Sequence, residues 1–283
     1  MDEKICLVTG ATSGIGKATA LELARMGATV VIVGRNKERS TLIQREIQNR
    51  TGNQSVGLLI ADLSSQKSVR NLSQTFKSKY QQLYVLINNA GTFLTKRHVT
   101  EDGLEMTLAV NYLSRFLLTN LLLDVLKKSA PARIINVAGE YHTKGEIYFD
   151  DINLEHNYSG SRANNQAKLA DVLFTYELAR RLDGTNVTVN CLHPGAVKTG
   201  AVFKDKDASF SMKTMYTIFS IFFKSPEKGA ETSVYLASSP EVEGVTGKYF
   251  VNKKVKKSAP KTYDTGLQKR LWDVSVSLTK LET

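Results

Sequence analysis

Residues 9–16 read Thr9-Gly10-Ala11-Thr12-Ser13-Gly14-Ile15-Gly16; they follow the apolar run Ile5–Thr9 and lead straight into an amphipathic stretch, Gly16–Met26. The order of strand-like run, glycine-rich turn and helix has a direct physical reading. Glycine lets a backbone turn tightly and approach a bulky anion, and the N-terminus of the next helix offers that anion free N–H groups and the positive end of a dipole. Gly10, Thr12, Ser13, Gly14, Ile15 and Gly16 are therefore candidate contacts to a diphosphate. A glycine triplet alone is a weak signal, and its placement at a strand-to-helix junction is what gives it weight.

Outward from this turn, short β-branched or aliphatic runs alternate with amphipathic stretches. Strands are expected at Ile5–Thr9, Thr29–Val33, Ser55–Ile60, Tyr84–Asn88, Arg133–Val137, Val187–Leu192 and Lys248–Val251. Helices are expected at Gly16–Met26, Lys37–Arg50, Gln66–Lys79, Leu104–Lys128, Ala163–Leu182 and Pro226–Ala237, with a last one at Leu267–Lys280 carrying the sole tryptophan, Trp272. Such alternation specifies βαβ units, and right-handed crossovers place helices on both faces of a parallel sheet. The expected fold is a doubly wound (Rossmann-type) α/β sheet, with ligands bound at the carboxyl ends of its strands. No repeat, low-complexity tract or Pro/Gly linker divides residues 1–283, so one domain is expected, with a covering segment around 200–225.

Bulk properties narrow the classes. The hydrophobic fraction of 42% suffices for a substantial core, and the net charge of +11 favours anionic ligands. No basic helix or aromatic-interleaved strand set accompanies that charge, which argues against nucleic acid. Cys6 and Cys191 lie in apolar strand-like runs and read as buried free thiols rather than a disulfide, and no metal site is expected. No leader-like segment precedes the first strand and no apolar run reaches the ~18–20 residues of a membrane span, so a cytoplasmic protein is expected, with membrane association as the alternative.

Two further positions bear on the ligand. The second strand ends at Gly34-Arg35-Asn36, where an acidic residue would bind an unphosphorylated ribose. Arg35 instead offers a guanidinium fork suited to a 2′-phosphate, pointing to NADP(H) over NAD(H). Asp62, after the third strand, is placed either to accept from an adenine amino group or to cap the following helix.

These and other stretches resemble the short-chain dehydrogenase/reductase family over nearly the whole chain, and within it the retinol dehydrogenase-like group. The matching residues are TGATSGIG at 9–16, ADLSS at 61–65, NNAG at 88–91, VNYLSRF at 110–116, KLADVLFTYELARRL at 168–182, HPGAVKT at 193–199 and GKYF at 247–250. The resemblance implies that Asn88–Gly91 supports the sheet beside the adenosine half. It extends the cofactor contacts to Leu63, Asn89, Ala90, Gly91, Pro194, Gly195, Val197 and Thr199, and makes Asn111 the holder of a water in a proton relay. It identifies Lys168 as the lysine that binds the nicotinamide ribose and serves the acid–base chemistry.

The catalytic pattern then breaks. The family uses a phenol one helical turn before that lysine and a serine closing the fifth strand to move the proton that accompanies hydride transfer. Here Asn164 stands four residues before Lys168, Ala138-Gly139 replaces the serine pair, and Ala167 replaces the serine beside the lysine. An amide has no accessible pKa for proton transfer. Substitute donors are Lys168 itself and the pair Tyr141 and His142, which is otherwise a solvated loop pair; His193 reads as a packed histidine. Tyr158, four before Arg162, copies the spacing superficially, but arginine does not release its proton.

Between His193 and the helix at Pro226, the residues Phe210, Met212, Met215, Tyr216, Ile218, Phe219, Ile221, Phe222 and Phe223 are denser than one helix face needs. They fit a lid over an apolar small molecule, a peripheral membrane contact, or core packing. The lysines at 253, 254, 256 and 257 are either a lipid-headgroup contact or a solvated segment. A homodimer is expected through the Leu104–Lys128 and Ala163–Leu182 helices, where Leu117, Leu118, Leu121 and Leu122 exceed a sheet-facing stripe. Three functional readings stand: an NADP(H)-binding pseudoenzyme or non-redox protein acting on an apolar ligand, a working oxidoreductase with a substitute proton donor, and a structural protein with an empty cleft. The phosphate cradle speaks against the last.

Overall fold

The first strand, β1 (Ile5–Thr9), is the line from which both halves of the sheet grow. It pairs in parallel with β2 (Thr29–Gly34) on one side and β4 (Val85–Asn88) on the other. The computed structural model describes residues 1–198, 205–209, 211, 214, 217, 220 and 223–282. Within them the strand order is β3-β2-β1-β4-β5-β6-β7-β8, with β3 at Val56–Ile60, β5 at Ala132–Val137, β6 at Val187–His193, β7 at Lys248–Val251 and β8 at Lys254–Lys256. Every neighbouring pair is parallel except β7–β8. The order reverses between β1 and β4, which makes that crevice the switch point where such sheets bind ligands.

Both faces of the sheet are buried, so its strands read as continuous apolar runs. Cys6, Val8, Val30, Ile32 and Ile87 pack on one side with α1 (Gly14–Arg25), α2 (Lys37–Thr51) and α8 (Pro226–Ser238). Leu7, Val31, Val33, Leu86 and Ile134 pack on the other with α3 (Gln66–Lys79), α7 (Gly160–Arg181) and α9 (Thr265–Thr279). The doubly wound sheet and all seven expected strands are present, each boundary within one residue. Cys6 and Cys191 are buried and free.

The differences have local causes. The expected single helix Leu104–Lys128 is broken into α4 (Met106–Leu108), a π-helical turn at Ala109–Leu113, α5 (Ser114–Leu121) and α6 (Leu123–Lys128). A π turn accommodates an extra residue that hydropathy cannot reveal. α7 starts at Gly160, earlier than expected, because Ser159 Oγ caps it by accepting from Arg162 N. The lysines of the basic run are all exposed, as the solvated reading expects, and the centre of the run forms β8. Asn252 (φ 50°) and Lys253 (φ 63°) make the two-residue hairpin turn between β7 and β8. Lysines on a short outer strand blunt a sheet edge.

Leu117, Leu118 and Leu122 are fully buried within the chain, and Leu121 packs against the same core, so the excess of leucine offered for a dimer is accounted for internally. α9 contributes to that core: Trp272 meets Phe116 edge-on at 5.0 Å and Phe174 at 6.0 Å, under the Arg181 guanidinium at 4.0 Å. Among the described residues no helix is long and apolar enough to cross a membrane. Thr199, Lys213 and the apolar side chains named between Phe210 and Phe222 lie outside the described residues. The near edge of that segment is tied down where Asp205 Oδ2 accepts from Thr95 N (2.8 Å) and Thr95 Oγ1 (2.7 Å).

Because Trp272 joins α9 to α5 and α7, Trp272→Ala should cost about 3 kcal/mol in a denaturant titration followed by circular dichroism. A loss below about 1 kcal/mol would mean that α9 packs independently of this contact.

Candidate functional site

The glycine turn after β1 is shaped by what lies behind it. Gly10 (φ 64°) and Gly14 (φ 55°) take left-handed conformations, and a Cβ on Gly10 would fall 2.7 Å from Ala90 Cα. A Cβ on Gly16 would fall 2.3 Å from Asn89 Nδ2 and 2.5 Å from Gly10 O. The glycines thus let the turn lie directly on the segment that follows β4. Asn89 Nδ2 donates to Thr9 O (2.9 Å), and Thr9 Oγ1 accepts from Asn89 N (3.0 Å) and Ala90 N (3.1 Å). Asn89 and Ala90 therefore brace the turn from behind. In front, the first turn of α1 carries no acidic residue, leaving its positive dipole end uncompensated.

At the end of β2, a Cβ on Gly34 would meet Thr12 Cγ2 at 2.5 Å, so glycine there admits the cradle's own side chain. Arg35 follows, exposed, with no hydrogen bond or ion pair to any described residue. Asn36 caps α2, accepting from Arg39 N at 2.8 Å. Asp62 is exposed and does not cap α3: Ser65 does, accepting from Ser68 N. Asp62 Oδ1 instead accepts from Ser64 N (2.9 Å) and Ser64 Oγ (2.7 Å), shaping the turn beyond β3, while Leu63 packs against the core.

Across the switch point the polar groups are buried. Asn88 Nδ2 donates to Thr119 Oγ1 (3.0 Å) and Asn136 Oδ1 (2.9 Å), and Asn136 Nδ2 donates to Thr175 Oγ1 (2.9 Å), lacing β4 and β5 to α5 and α7. Beside this ladder lies a group that sequence reading missed. Arg115, fully buried on α5, donates from Nη1 to Val137 O (3.0 Å) and Asp171 Oδ2 (2.8 Å) and from Nη2 to Ala90 O (2.6 Å). Lys168 Nζ donates to the same Val137 O at 3.2 Å and lies 3.7 Å from Asp171 Oδ2. Burial and the neighbouring Arg115 charge lower the Lys168 pKa to about 8, against the pull of Asp171.

The expected catalytic positions converge on Lys168. A Cβ on Gly139 would lie 3.7 Å from Lys168 Cδ, so a serine would have room there. Asn164 is half-buried one turn earlier on α7, the spacing that puts both on one helix face. Ala167 is fully buried.

The substitute donors fare differently. His142 was placed at the cleft mouth with Tyr141, but it is buried and structural. Its Nδ1 bonds Gly139 O (2.7 Å), its Nε2 accepts from Ala259 N (3.1 Å), and its ring meets Tyr249 at 4.8 Å. That pairing fixes a neutral ring with the proton on Nδ1, and burial holds its pKa below the usual imidazole value. Tyr141 is 58% exposed. Tyr158 precedes α7 and donates to Leu94 O (3.1 Å), while Arg162 stacks over Tyr148 at 3.8 Å, so the two do not form an acid–base pair. Asn111, in the π turn, accepts from Thr92 N (2.7 Å) and donates to Thr92 O (2.9 Å), so its side chain fixes the loop that follows β4. His193 is half-buried, with Nε2 3.7 Å from Glu140 Oε2 and burial lowering its pKa.

The segment after β6 closes over the cradle. Gly195 (φ 91°) follows Pro194, and Val197 packs on Ile15, Ala18 and Ala230. Lys198 N donates to Lys224 O (3.1 Å) and Lys224 N to Ala196 O (2.8 Å), pinning this segment to the far end of the covering region. Among the described residues, no three or more His, Cys, Asp or Glu side chains are grouped to hold a metal ion. The glycine turn at the α1 N-terminus, its close packing on Asn89 and Ala90, and Arg35, which has no partner among the described residues, together fit an extended dinucleotide phosphate.

Relatives agree with that arrangement. The chain is 46% identical to Homo sapiens retinol dehydrogenase 14 over 289 residues, covering 97% of this chain and 86% of the relative. It is 45% identical to Homo sapiens retinol dehydrogenase 13, covering 99% and 85%. Among solved structures, a putative uncharacterized protein from Mycobacterium paratuberculosis superposes with a TM-score of 0.79 at 30% identity, covering 99% of this chain and 95% of that one. With the short chain dehydrogenase model matching residues 4–209, the chain belongs to the short-chain dehydrogenase family.

Proposed function

We propose that the protein is an NADP(H)-binding member of this family whose proton relay for carbonyl–alcohol exchange has been dismantled, leaving a cleft that binds cofactor and an apolar ligand. The observation that carries this reading is the surroundings of Lys168. Gly139 and Asn164 stand where a hydroxyl and a phenol would have to be, and the lysine amine is bonded to Val137 O. Among the described residues, the alternatives to Lys168 are engaged elsewhere or exposed: His142 and Tyr158 by hydrogen bonds, Tyr141 in solvent.

A bound nicotinamide supplies a hydride; the chain's own residues must supply everything else. The glycine turn and the α1 terminus hold the diphosphate, Arg35 takes the 2′-phosphate, and Lys168 is left to bind the ribose of the nicotinamide half. Among the described residues, the two phenols considered, Tyr141 and Tyr158, are exposed or bonded elsewhere, so neither is offered to a developing alkoxide.

A second reading rests on the retinol dehydrogenase relatives, which favour a working enzyme on a lipophilic alcohol or carbonyl. In that case Lys168 itself, with its lowered pKa, is the group able to exchange a proton near neutral pH.

Arg35→Ala should weaken NADPH binding at least about tenfold while leaving NADH nearly unchanged, because a charge-assisted fork acts only on the extra phosphate. Equal losses for both cofactors in a fluorescence titration would remove Arg35 as the selector.

The two functional readings part on a restoration experiment. Gly139→Ser combined with Asn164→Tyr should raise NADPH-dependent reduction of retinal or a short aldehyde by about 10²-fold over a wild type near background. Gly139 sits at φ 157° and ψ 169°, where side-chain-bearing residues are strained, so the serine needs the backbone there to rotate even though its Cβ has space beside Lys168. Robust wild-type turnover, lowered by the double change, would establish the second reading instead.

A further inference from the structure

The group that the family resemblance did not anticipate is the buried trio Arg115, Asp171 and Lys168. It sits at the carboxyl ends of β4 and β5, tied to Ala90 O and Val137 O. Arg35 and the turn at Asp62 lie at the ends of β2 and β3, on the other side of the switch point. A dinucleotide whose diphosphate meets α1 and whose adenosine half runs toward Arg35 must lay its nicotinamide half across the β4–β5 side. The trio therefore underlies the end of the cofactor that changes charge on oxidation.

The trio is electrically unbalanced. Two cations face one carboxylate, and the buried Arg115 Nε and Asp171 Oδ1 have no hydrogen-bond partner among the described residues. Burial raises the Asp171 pKa while Arg115 and Lys168 pull it down; ionised in its 2.8 Å pair with Arg115 Nη1 it offsets one of the two cations, and protonated it would offset neither. Among the described residues, His193 at the end of β6 also acts on Lys168's surroundings, with burial lowering its pKa; Glu140 beyond it is 76% exposed. Lys168 is only 14% exposed, so its charge acts through protein and not through bulk water.

We propose that this buried excess positive charge makes the cleft selective for the reduced dinucleotide, NADPH, over NADP+. An oxidised nicotinamide carries a positive ring and a reduced one does not, so an excess cation on the β4–β5 side of the cleft would disfavour the first and tolerate the second. The inference rests on the cofactor reading above and sharpens it: a site without a proton relay that discriminates the redox state of its ligand reports the reduced pool instead of consuming it. No bond is made or broken in this role. Discrimination is strongest while Lys168 is protonated and weakens as pH rises through its pKa of about 8. Above that value the trio carries one cation and one anion and is neutral.

Equilibrium binding tests this without any turnover. NADPH and NADP+ are titrated separately into the full chain from about pH 7 to about pH 9.5 by calorimetry. The expected Kd ratio favours NADPH by about tenfold at the lower pH, the scale of one unit charge acting through protein at an effective dielectric of about 20, and declines toward the upper pH. Lys168→Gln should abolish the preference even where it weakens both ligands, and Lys168→Arg should keep it and remove its pH dependence. Equal Kd values at the lower pH, or an undiminished preference in Lys168→Gln, would overturn the inference while leaving the cofactor reading in place. No binding of either form would overturn the cofactor reading, and the inference with it.

Discussion

Buried guanidinium groups are costly unless their donors are matched, and Arg115 is matched at three places: Ala90 O after β4, Val137 O at the end of β5, and Asp171 on α7. Those three elements flank the β4–β5 side of the switch point. Removing one partner from such a group strands the others in a medium of low dielectric, so the arrangement tolerates little displacement. Val137 O also receives Lys168, which is why the lysine's position follows from Arg115 and not from a phenol beside it. On the opposite side of β1 the constraint is steric: Gly10 and Gly16 have no room for a Cβ against Ala90 and Asn89. A charged clamp and a glycine contact thus meet at the same short segment, residues 88–91.

The sheet was legible because its signal is periodic and long. Parallel strands buried on both faces give uninterrupted apolar runs such as Cys6–Val8 and Val30–Val33, and a glycine turn marks where the first of them ends. The helix from 104 to 128 was not legible in detail, since a π turn at Ala109–Leu113 leaves hydropathy unchanged while shifting the phase. β8 was hidden for the opposite reason: an edge strand of three exposed residues, Lys254–Lys256, has no apolar pattern to betray it, although the left-handed pair Asn252-Lys253 is a hairpin signal that could have been read.

At the site, the residues legible in advance were those whose chemistry is local. The cradle glycines, Arg35 and the spacing of Asn164 to Lys168 needed no knowledge of distant contacts. The partners of His142, Asp62 and Asn111, namely Ala259, Ser64 and Thr92, were not legible because they are set by tertiary structure or turn geometry. Arg115 and Asp171 carried a usable clue: Arg115 is the lone charge in the apolar stretch YLSRFLL, and Asp171 sits among the apolar residues of KLADVLF one turn after Lys168. Unpaired charges are rarely buried, so two such positions imply each other.

The central claim is that the cofactor site persists without a proton relay. Its most direct test is to incubate the protein with NADPH deuterated at the transferable C4 position, together with retinal and a panel of lipophilic aldehydes, after confirming NADPH binding in the same sample. No deuterated alcohol above the protein-free control is expected by mass spectrometry. Deuterium transfer that grows with protein concentration and repeats over many turnovers would contradict it.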